Sequence, residues 1–299
     1  MEYIDFVIPV KCNNIIIRTV IECINNFYKP RNIYIITTKN DIEEIKQNCV
    51  LWDCQNNIIF VDEDNFFVKN YGMTKNKIES LYNIKDENSR EFGWWFQQLL
   101  KMGCVHQIEN ISDPYIVWDS DLVSLNKWDI YPTEEEPYYK FAILQEKAKN
   151  DWNKEQYSLS IKNLIGLDAL EPCSGTYVPH HFVFHHCVIK DLLKHITDDI
   201  DINWIECIMN LSLHYYRFSE YKCIATFMNK FYPHLLKCHS FEKYGKTGIR
   251  YRECNEIIKK IHSDCMIESG GLSYQEFIKF VKKNFTDLPS YIQIEHVTC

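Results

Sequence analysis

The feature that most constrains the fold is an alternation, over the first third of the chain, of short apolar runs with stretches of helical character. This order is typical of repeated β/α units, which build a mainly parallel sheet with helices on its faces. The pattern predicts strands at 3–9, 33–37, 57–61 and 115–118, and helices at 15–27 and 92–108. We therefore expect an α/β, Rossmann-like fold.

The second half of the chain is predicted to be more helical. A strand is expected at 140–145 and an amphipathic helix at 153–167. Capping-box spacings predict helix starts at 41–44 and 273–276. The polar, Asn- and Lys-rich residues 62–90 favour an irregular excursion. Neither an internal repeat nor a linker is evident in the sequence, so we expect one domain.

Composition and charge exclude several classes of protein. Hydrophobic residues make up 46% of the chain, with only 9 Gly and 9 Pro, which excludes a disordered or collagen-like chain. A formal net charge of −8 repels phosphate backbones, so we expect no nucleic-acid partner. No apolar stretch approaches the roughly 20 residues that span a bilayer, so any membrane contact is expected to be peripheral.

Three acidic triplets of the form Asp-x-Asp occur, at 62–64, 119–121 and 199–201. The middle one directly follows a predicted strand and has apolar neighbours, where an unpaired carboxylate is costly. Open α/β sheets bind ligands at the carboxyl ends of their strands, and carboxylates at i and i+2 can converge on a divalent cation. We expect Asp119 and Asp121 to hold one, a salt-bridged structural pair being the alternative. The last triplet is interpreted as a helix start and the first as a solvated loop.

Four motifs occur in the order REFGWWFQQLLK at 90–101, VWDSDLV at 117–123, YVPHHFVF at 177–184 and FSEY at 218–221. Together they resemble a little-characterised family of GT-A type glycosyltransferases from polysaccharide gene clusters and large DNA viruses. The loop after Pro9, which receives the nucleotide base in such folds, matches only loosely.

The resemblance implies a GT-A-like fold that moves a sugar from a nucleoside-diphosphate sugar, UDP- or GDP-linked, to a saccharide or glycan hydroxyl. Asp119 and Asp121 match the family's Asp-x-Asp motif and would bind Mn²⁺ or Mg²⁺, with Asp119 also facing the donor. Such a cation stabilises the negative charge that grows on the diphosphate leaving group.

The helix that carries the first motif is implied to pack beside this site. Its Gln97, Gln98 and Lys101 are candidates for donor binding, and the alternative is that they form only the solvated face of the helix. Arg90 precedes them and can pair with a phosphate in bidentate fashion or with a neighbouring carboxylate.

The His-His and Ser-Glu-Tyr motifs are implied to lie on the acceptor side. Adjacent side chains of a strand point to opposite faces, so at most one of His180 and His181 can readily face the cleft. Glu220 is the candidate base, or orienting group, for the acceptor hydroxyl. Helix capping by the Ser219-Glu220 pair is the alternative.

The last candidates lie further along the chain. By analogy with GT-A enzymes, His239 is a candidate third metal ligand. Residues 243–250 combine two glycines with cationic side chains, which suits a mobile loop that closes over a diphosphate through Lys246 and Arg250.

The resemblance divides the single domain into three parts. Residues 1–125 would bind the nucleotide-sugar, 126–240 the acceptor, and 241–299 would form a C-terminal loop and helical extension. Two other functions stay open: a nucleotidyltransferase on a similar sheet, and a catalytically silent glycan-binding protein.

The number and spacing of the cysteines indicate the cellular compartment of the protein. There are 13, an odd number, with no C-x-x-C pair, which argues against a disulfide framework and a zinc knuckle. We expect buried free thiols in a reducing cytoplasm, that of the host if the chain is viral.

Overall fold

The computed structural model describes residues 4–50, 52, 57–82, 90–145, 152–198, 201–214, 217–251, 255–268 and 270–295. The strands are β1 Asp5–Pro9, β2 Ile33–Thr37, β3 Ile58–Asp62, β4 Tyr115–Trp118, β5 Leu122–Ser124, β6 Phe141–Ala142, β7 His181–Phe184, β8 Cys238–His239, β9 Ile249–Tyr251 and β10 Tyr291–Ile294. The helices are α1 Ile17–Tyr28, α2 Lys39–Cys49, α3 Val68–Tyr71, α4 Lys75–Glu79, α5 Arg90–Gln107, α6 Trp152–Ile165, α7 His186–Thr197, α8 Trp204–Asn210, α9 Glu220–Phe231, α10 Phe241–Tyr244, α11 Asn255–Asp264 and α12 Tyr274–Asn284.

The central sheet has five strands in the order β3-β2-β1-β4-β7. The first four are parallel, and β7 runs antiparallel to β4. Strands β1, β2 and β4 are buried throughout, as expected of a parallel sheet covered on both faces. The predicted α/β fold with a mainly parallel sheet flanked by helices is confirmed.

Helices cover the two faces of this sheet because its crossovers run in opposite directions. The chain passes from β1 through α1 to β2, whereas α5 leads into β4 on the other side of β1. Right-handed crossovers therefore place α1 and α5 on opposite faces. Helix α5 packs on β1, α7 and α9, while α1 packs on β5 and α12.

Several predicted elements need correction. Helix α2 begins earlier than the capping-box spacing indicated: its N-cap is Thr38, whose hydroxyl accepts from the backbone of Asp41. The strand expected at 140–145 shrinks to the two residues of β6, which pair with the two residues of β8. Part of the excursion at 62–90 forms the short helices α3 and α4. Short elements like these depend on distant partners rather than on local periodicity.

The C-terminal segment is built into the first β/α unit. Strand β10 pairs antiparallel with β5. The Glu22 carboxylate accepts from the backbone nitrogen of Tyr274 at 2.8 Å, and the Thr19 hydroxyl donates to the carbonyl of Leu272 at 2.7 Å. These buried bonds hold the start of α12 against α1.

Two further predictions can be compared with the structure. None of the helices in the described part of the chain combines the length and apolar character needed to span a bilayer. Nine of the described cysteines are free, but Cys12 is disulfide-bonded and Cys173, Cys187 and Cys238 are exposed, contrary to the expectation of buried free thiols. Sequence spacing alone cannot show which cysteines meet in space.

Two glycines give a matched test of the packing around β10. A Cβ atom at Gly248 would lie 1.9 Å from the buried ring of Tyr291, whereas one at Gly93, on α5, would meet nothing within 4 Å. We expect Gly248→Ala to lower the free energy of unfolding by about 1–3 kcal/mol through overpacking. Gly93→Ala should raise it by about 0.5–1 kcal/mol, because alanine favours the helix. Urea unfolding followed by circular dichroism measures both, and equal effects would contradict this packing.

Candidate metal centre

The middle acidic triplet lies where the sheet reverses its strand order. Strands β1 and β4 are neighbours, yet the chain leads from β1 to β2 on one side and returns to β4 on the other. Such a switch point opens a crevice at the carboxyl ends of the strands. Asp119 directly follows β4 and therefore stands at this crevice.

Backbone hydrogen bonds fix the turn that carries the triplet. The nitrogen of Asp119 donates to the carbonyl of His180 at 2.9 Å, and the nitrogen of Leu122 donates to the carbonyl of Asp119 at 3.2 Å. His180 has a φ of 60°, a left-handed conformation that is uncommon for a residue other than glycine. Its side chain is thereby placed at the turn, one residue before β7 begins.

Three side chains form a cluster that could hold a cation. Asp119, Asp121 and His180 each offer one ligand atom, and these atoms lie within 4.8 Å of one another. His180 Nδ1 is 2.9 Å from Asp119 Oδ2. Asp121 Oδ1 is buried and has no hydrogen-bond partner among the described residues. A buried, unpartnered carboxylate oxygen beside a second carboxylate and an imidazole fits a divalent cation.

A buried cationic side chain also contacts Asp119. Lys101 Nζ lies 2.6 Å from Asp119 Oδ1, and the Tyr221 hydroxyl donates to the same oxygen at 2.8 Å. Burial opposes ionisation of Asp119, but the charge of Lys101 and the hydrogen bond with His180 outweigh it and hold the pKa of Asp119 well below its usual value. Asp119 is therefore a carboxylate at neutral pH.

Glu220 differs from the expectation of an acceptor-side base. It is 3% exposed, and its Oε1 lies 2.6 Å from Lys101 Nζ. Burial raises the pKa of Glu220, and the charge of Lys101 opposes that rise. Ser219 caps α9 by accepting from Lys222, so the capping alternative describes this segment. Glu220 sits behind Asp119, where it compensates the charge of Lys101.

The candidates on α5 also serve this interior network. Gln98 is 1% exposed, its Oε1 accepts from the backbone of Glu220 at 3.0 Å, and its Nε2 donates to the carbonyl of Trp94 at 3.2 Å. Lys101 is 2% exposed. Gln98 and Lys101 are therefore too buried to form a solvated helix face or a surface for a donor. Gln97 is half-buried. The side chain of Arg90 lies outside the described residues.

Asp121 has a less compensated environment than Asp119. Burial and the charge of Asp119 raise the pKa of Asp121, and the charge of His180, followed by that of Arg250, opposes this rise. Its Oδ2 accepts from Gln293 Nε2 at 3.3 Å. Gln293 was missed in the sequence because it lies 172 positions further on, and no motif marks it.

The adjacent histidines separate as strand geometry requires. His181 is 1% exposed, its Nε2 accepts from the backbone of Ala142 at 3.0 Å, and its Nδ1 bonds the carbonyl of Pro179. Its ring packs 4.7 Å from that of Trp128. Burial lowers the pKa of His181 to about 3, so it is a neutral core residue. His180, not His181, belongs to the cluster.

His239 differs from the expectation of a third ligand. Its Nε2 bonds the carbonyl of Asp129 at 3.0 Å, and its ring packs 4.7 Å from that of Tyr244. It is not a member of the carboxylate–imidazole cluster. The position of His239 after an apolar stretch of the sequence could not show that His180, rather than His239, joins the two carboxylates.

The glycines of 243–250 have a different role from the expected hinge. A Cβ atom at Gly245 would lie 2.9 Å from the carbonyl oxygen of Ile143, and Gly248 packs on an aromatic ring. Both glycines permit close packing. Lys246 is exposed on the turn before β9. Arg250, on β9, is ion-paired with Glu295 and acts electrostatically on Asp121.

The first acidic triplet, at 62–64, does not join the cluster. Asp62 accepts from the backbone of Asp64 at 3.1 Å and from Asn65 at 2.8 Å, which makes it a turn-forming residue. Glu63 is 6% exposed and paired with Lys75. Residues 199 and 200 lie outside the described residues.

Fold and site together define an α/β protein with a carboxylate–imidazole cluster at the switch point of its sheet. The chain belongs to the family of unknown function DUF6492, whose model matches residues 1–250. No curated protein matches its sequence.

Distant likenesses to solved structures were also found. The galactosyltransferase LgtC in complex with donor and acceptor sugar analogues is 9% identical, with 98% of this chain and 87% of that chain covered and a TM-score of 0.42. Mouse xyloside xylosyltransferase 1 is 11% identical, with 97% of each chain covered and a TM-score of 0.43. The 4-diphosphocytidyl-2C-methyl-D-erythritol synthase of Anaerococcus prevotii is 9% identical, with 80% and 87% covered and a TM-score of 0.36. At these values the likenesses say nothing of activity.

Burial of His181 predicts a pH-dependent stability. Between pH 6.5 and about 3 the unfolded chain binds a proton at His181 that the native protein does not, so stability falls as the pH falls through this window. Each pH unit well inside the window costs about 1.4 kcal/mol from this residue. We expect His181→Gln to flatten the decline between pH 6.5 and 5. Urea unfolding at both pH values measures the decline. His262→Gln is the control, because His262 is exposed on α11. Parallel profiles for wild type and His181→Gln would contradict the burial argument.

Proposed function

We propose that this protein is a metal-dependent glycosyltransferase of GT-A type. It would move a sugar from a nucleoside-diphosphate sugar, UDP- or GDP-linked, to a hydroxyl group of a saccharide or glycan. Residues 1–125 would bind the donor and 126–240 the acceptor, while the segment 241–299 would supply cationic residues and a strand beside the cation.

One observation carries the proposal: the cluster of Asp119, Asp121 and His180 at the carboxyl end of β4, with the Asp121 Oδ1 atom buried and unpartnered among the described residues. Ligands of α/β sheets bind at this edge. The resemblance of four ordered sequence motifs to glycosyltransferases adds to it, because VWDSDLV supplies both carboxylates.

Mn²⁺ or Mg²⁺ suits this cluster because both accept carboxylate oxygens and keep coordination positions for phosphate oxygens. When bound, the cation would stabilise the negative charge that develops on the departing nucleoside diphosphate.

The residues of the chain set up the charge of the site. Lys101 and Tyr221 fix Asp119 Oδ1 from behind, so its other oxygen faces His180. Glu220 balances the charge of Lys101. Asp119 is thus held in a defined orientation by buried groups. Arg250 lies close enough to Asp121 to act on its pKa and would add a positive charge for a diphosphate.

A donor screen tests the proposal. Nucleoside-diphosphate sugars are incubated with the protein and Mn²⁺, with and without glycan acceptors, and the products are identified by mass spectrometry. Release of a nucleoside diphosphate supports the transferase. Release of pyrophosphate from nucleoside triphosphates and a sugar phosphate would indicate the nucleotidyltransferase instead, and glycan binding without turnover would indicate the silent alternative.

Loss of a proposed ligand should remove the cation. We expect Asp121→Ala to abolish Mn²⁺ binding and donor turnover while the fold is retained, and Asp119→Ala to be nearly as severe. Asp201→Ala is the matched control, since Asp201 is exposed and outside the cluster. Calorimetric titration with Mn²⁺ and turnover in chelator measure this, and full activity in chelator would refute the metal dependence.

The cationic residues near β9 give a further prediction. Replacing Lys246 and Arg250 by Ala should weaken donor binding by about 1.5–3 kcal/mol for each charged hydrogen bond lost. Lys259→Ala, which removes an exposed charge from α11, should leave affinity unchanged. Donor titration in the presence of Mn²⁺ measures both variants. Limited proteolysis adds a second readout, because the segment 243–250 should gain protection only with donor and cation together. Unaltered affinity and unaltered cleavage would make it an ordinary surface segment.

A further inference from the structure

A side chain from the C-terminal strand enters the proposed cation site. Gln293, on β10, is 1% exposed. Its Nε2 lies 3.3 Å from Asp121 Oδ2, 3.1 Å from His180 Nδ1 and 3.4 Å from Glu295 Oε1. The amide nitrogen donates its two hydrogens to the carboxylates of Asp121 and Glu295 and packs against His180, whose Nδ1 donates to Asp119.

The neighbours of Gln293 determine which way its amide points. Carboxylates only accept hydrogen bonds, so Asp121 and Glu295 require the NH₂ group rather than the carbonyl oxygen. A buried amide without partners would be costly, which stabilises this orientation. Arg250 is paired with Glu295 and so holds the second acceptor in place.

The contacts of Gln293 join parts of the chain that are otherwise separate. Asp121 lies on the turn between β4 and β5, whereas His180 precedes β7. Strand β10 pairs with β5 through Gln293 and Leu122, directly beside Asp121. A single side chain anchored in β10 therefore bears on the distance between two ligands from different elements.

We propose that Gln293 is a positioning residue of the cation site. It holds the Asp121 carboxylate by a hydrogen bond and packs against the ring of His180, so that these two residues stand at a separation that suits a divalent cation, and the Glu295–Arg250 pair fixes its amide. The inference rests on the proposed cation site. It also assigns a role to residues beyond 1–250, the part matched by the family model.

The experiment uses the full chain and Mn²⁺ alone, measured by isothermal titration calorimetry. The variants are Gln293→Ala and Gln293→Met; methionine keeps the length of the side chain but removes the amide. We expect both to lose about 10–100-fold in Mn²⁺ affinity, the usual effect of removing a group that orients metal ligands.

Ile292→Val is the matched control, because Ile292 is fully buried on the same strand and, as the neighbour of Gln293, directs its side chain to the opposite face. It tests whether loss of β10 packing alone lowers the affinity, and it should bind Mn²⁺ like the wild type. Thermal unfolding of every variant identifies those that keep the native fold. If Gln293→Ala does not fold, Gln293→Met decides.

The outcomes separate this inference from the proposed function. Wild-type affinity in a folded Gln293→Met variant would overturn the role of Gln293 and leave the cation site standing. An equal loss in Ile292→Val would also overturn it, because the effect would then belong to the strand. A wild-type protein that binds neither Mn²⁺ nor Mg²⁺ would refute the cation site itself.

Discussion

The buried ammonium group of Lys101 lies 2.6 Å from the carboxylates of both Asp119 and Glu220, and the arrangement of the site depends on this contact. Burying one charge without a partner costs several kcal/mol, so the group formed by Lys101, Asp119 and Glu220 is stable only when all three are present. The group joins α5, the end of β4 and the start of α9. It therefore couples the packing of two helices on the sheet to the orientation of Asp119.

The same constraint explains why the two aspartates of the triplet differ. Asp119 is compensated from behind by Lys101 and Tyr221, whereas Asp121 keeps a buried oxygen without a partner among the described residues. One carboxylate is thus fixed by the protein, and the other is left to a ligand. This asymmetry leaves an oxygen of Asp121 in the position that the proposed cation would fill.

Sequence reasoning succeeded where the signal was local. The periods of the apolar runs located β2 and β4 at their observed bounds, and the end of β4 located the acidic turn. It was less successful with Glu220 and His239. Their residue types suit a catalytic base and a metal ligand, but in the structure Glu220 pairs with Lys101 and His239 bonds the carbonyl of Asp129. The choice between His180 and His181 depended on a left-handed backbone at His180 that no periodicity reveals.

The sequence by itself determined the β/α order, the parallel sheet and the acidic turn at a strand end, because these follow from burial patterns within a few residues. The tertiary structure alone decided which groups surround that turn. His180 meets Asp119 across 61 positions, Tyr221 across 102 and Lys101 meets Glu220 across 119, while Gln293 reaches Asp121 across 172. Such contacts arise from the packing of β7, α5, α9 and β10 around the end of β4, and that packing leaves no local mark on the chain.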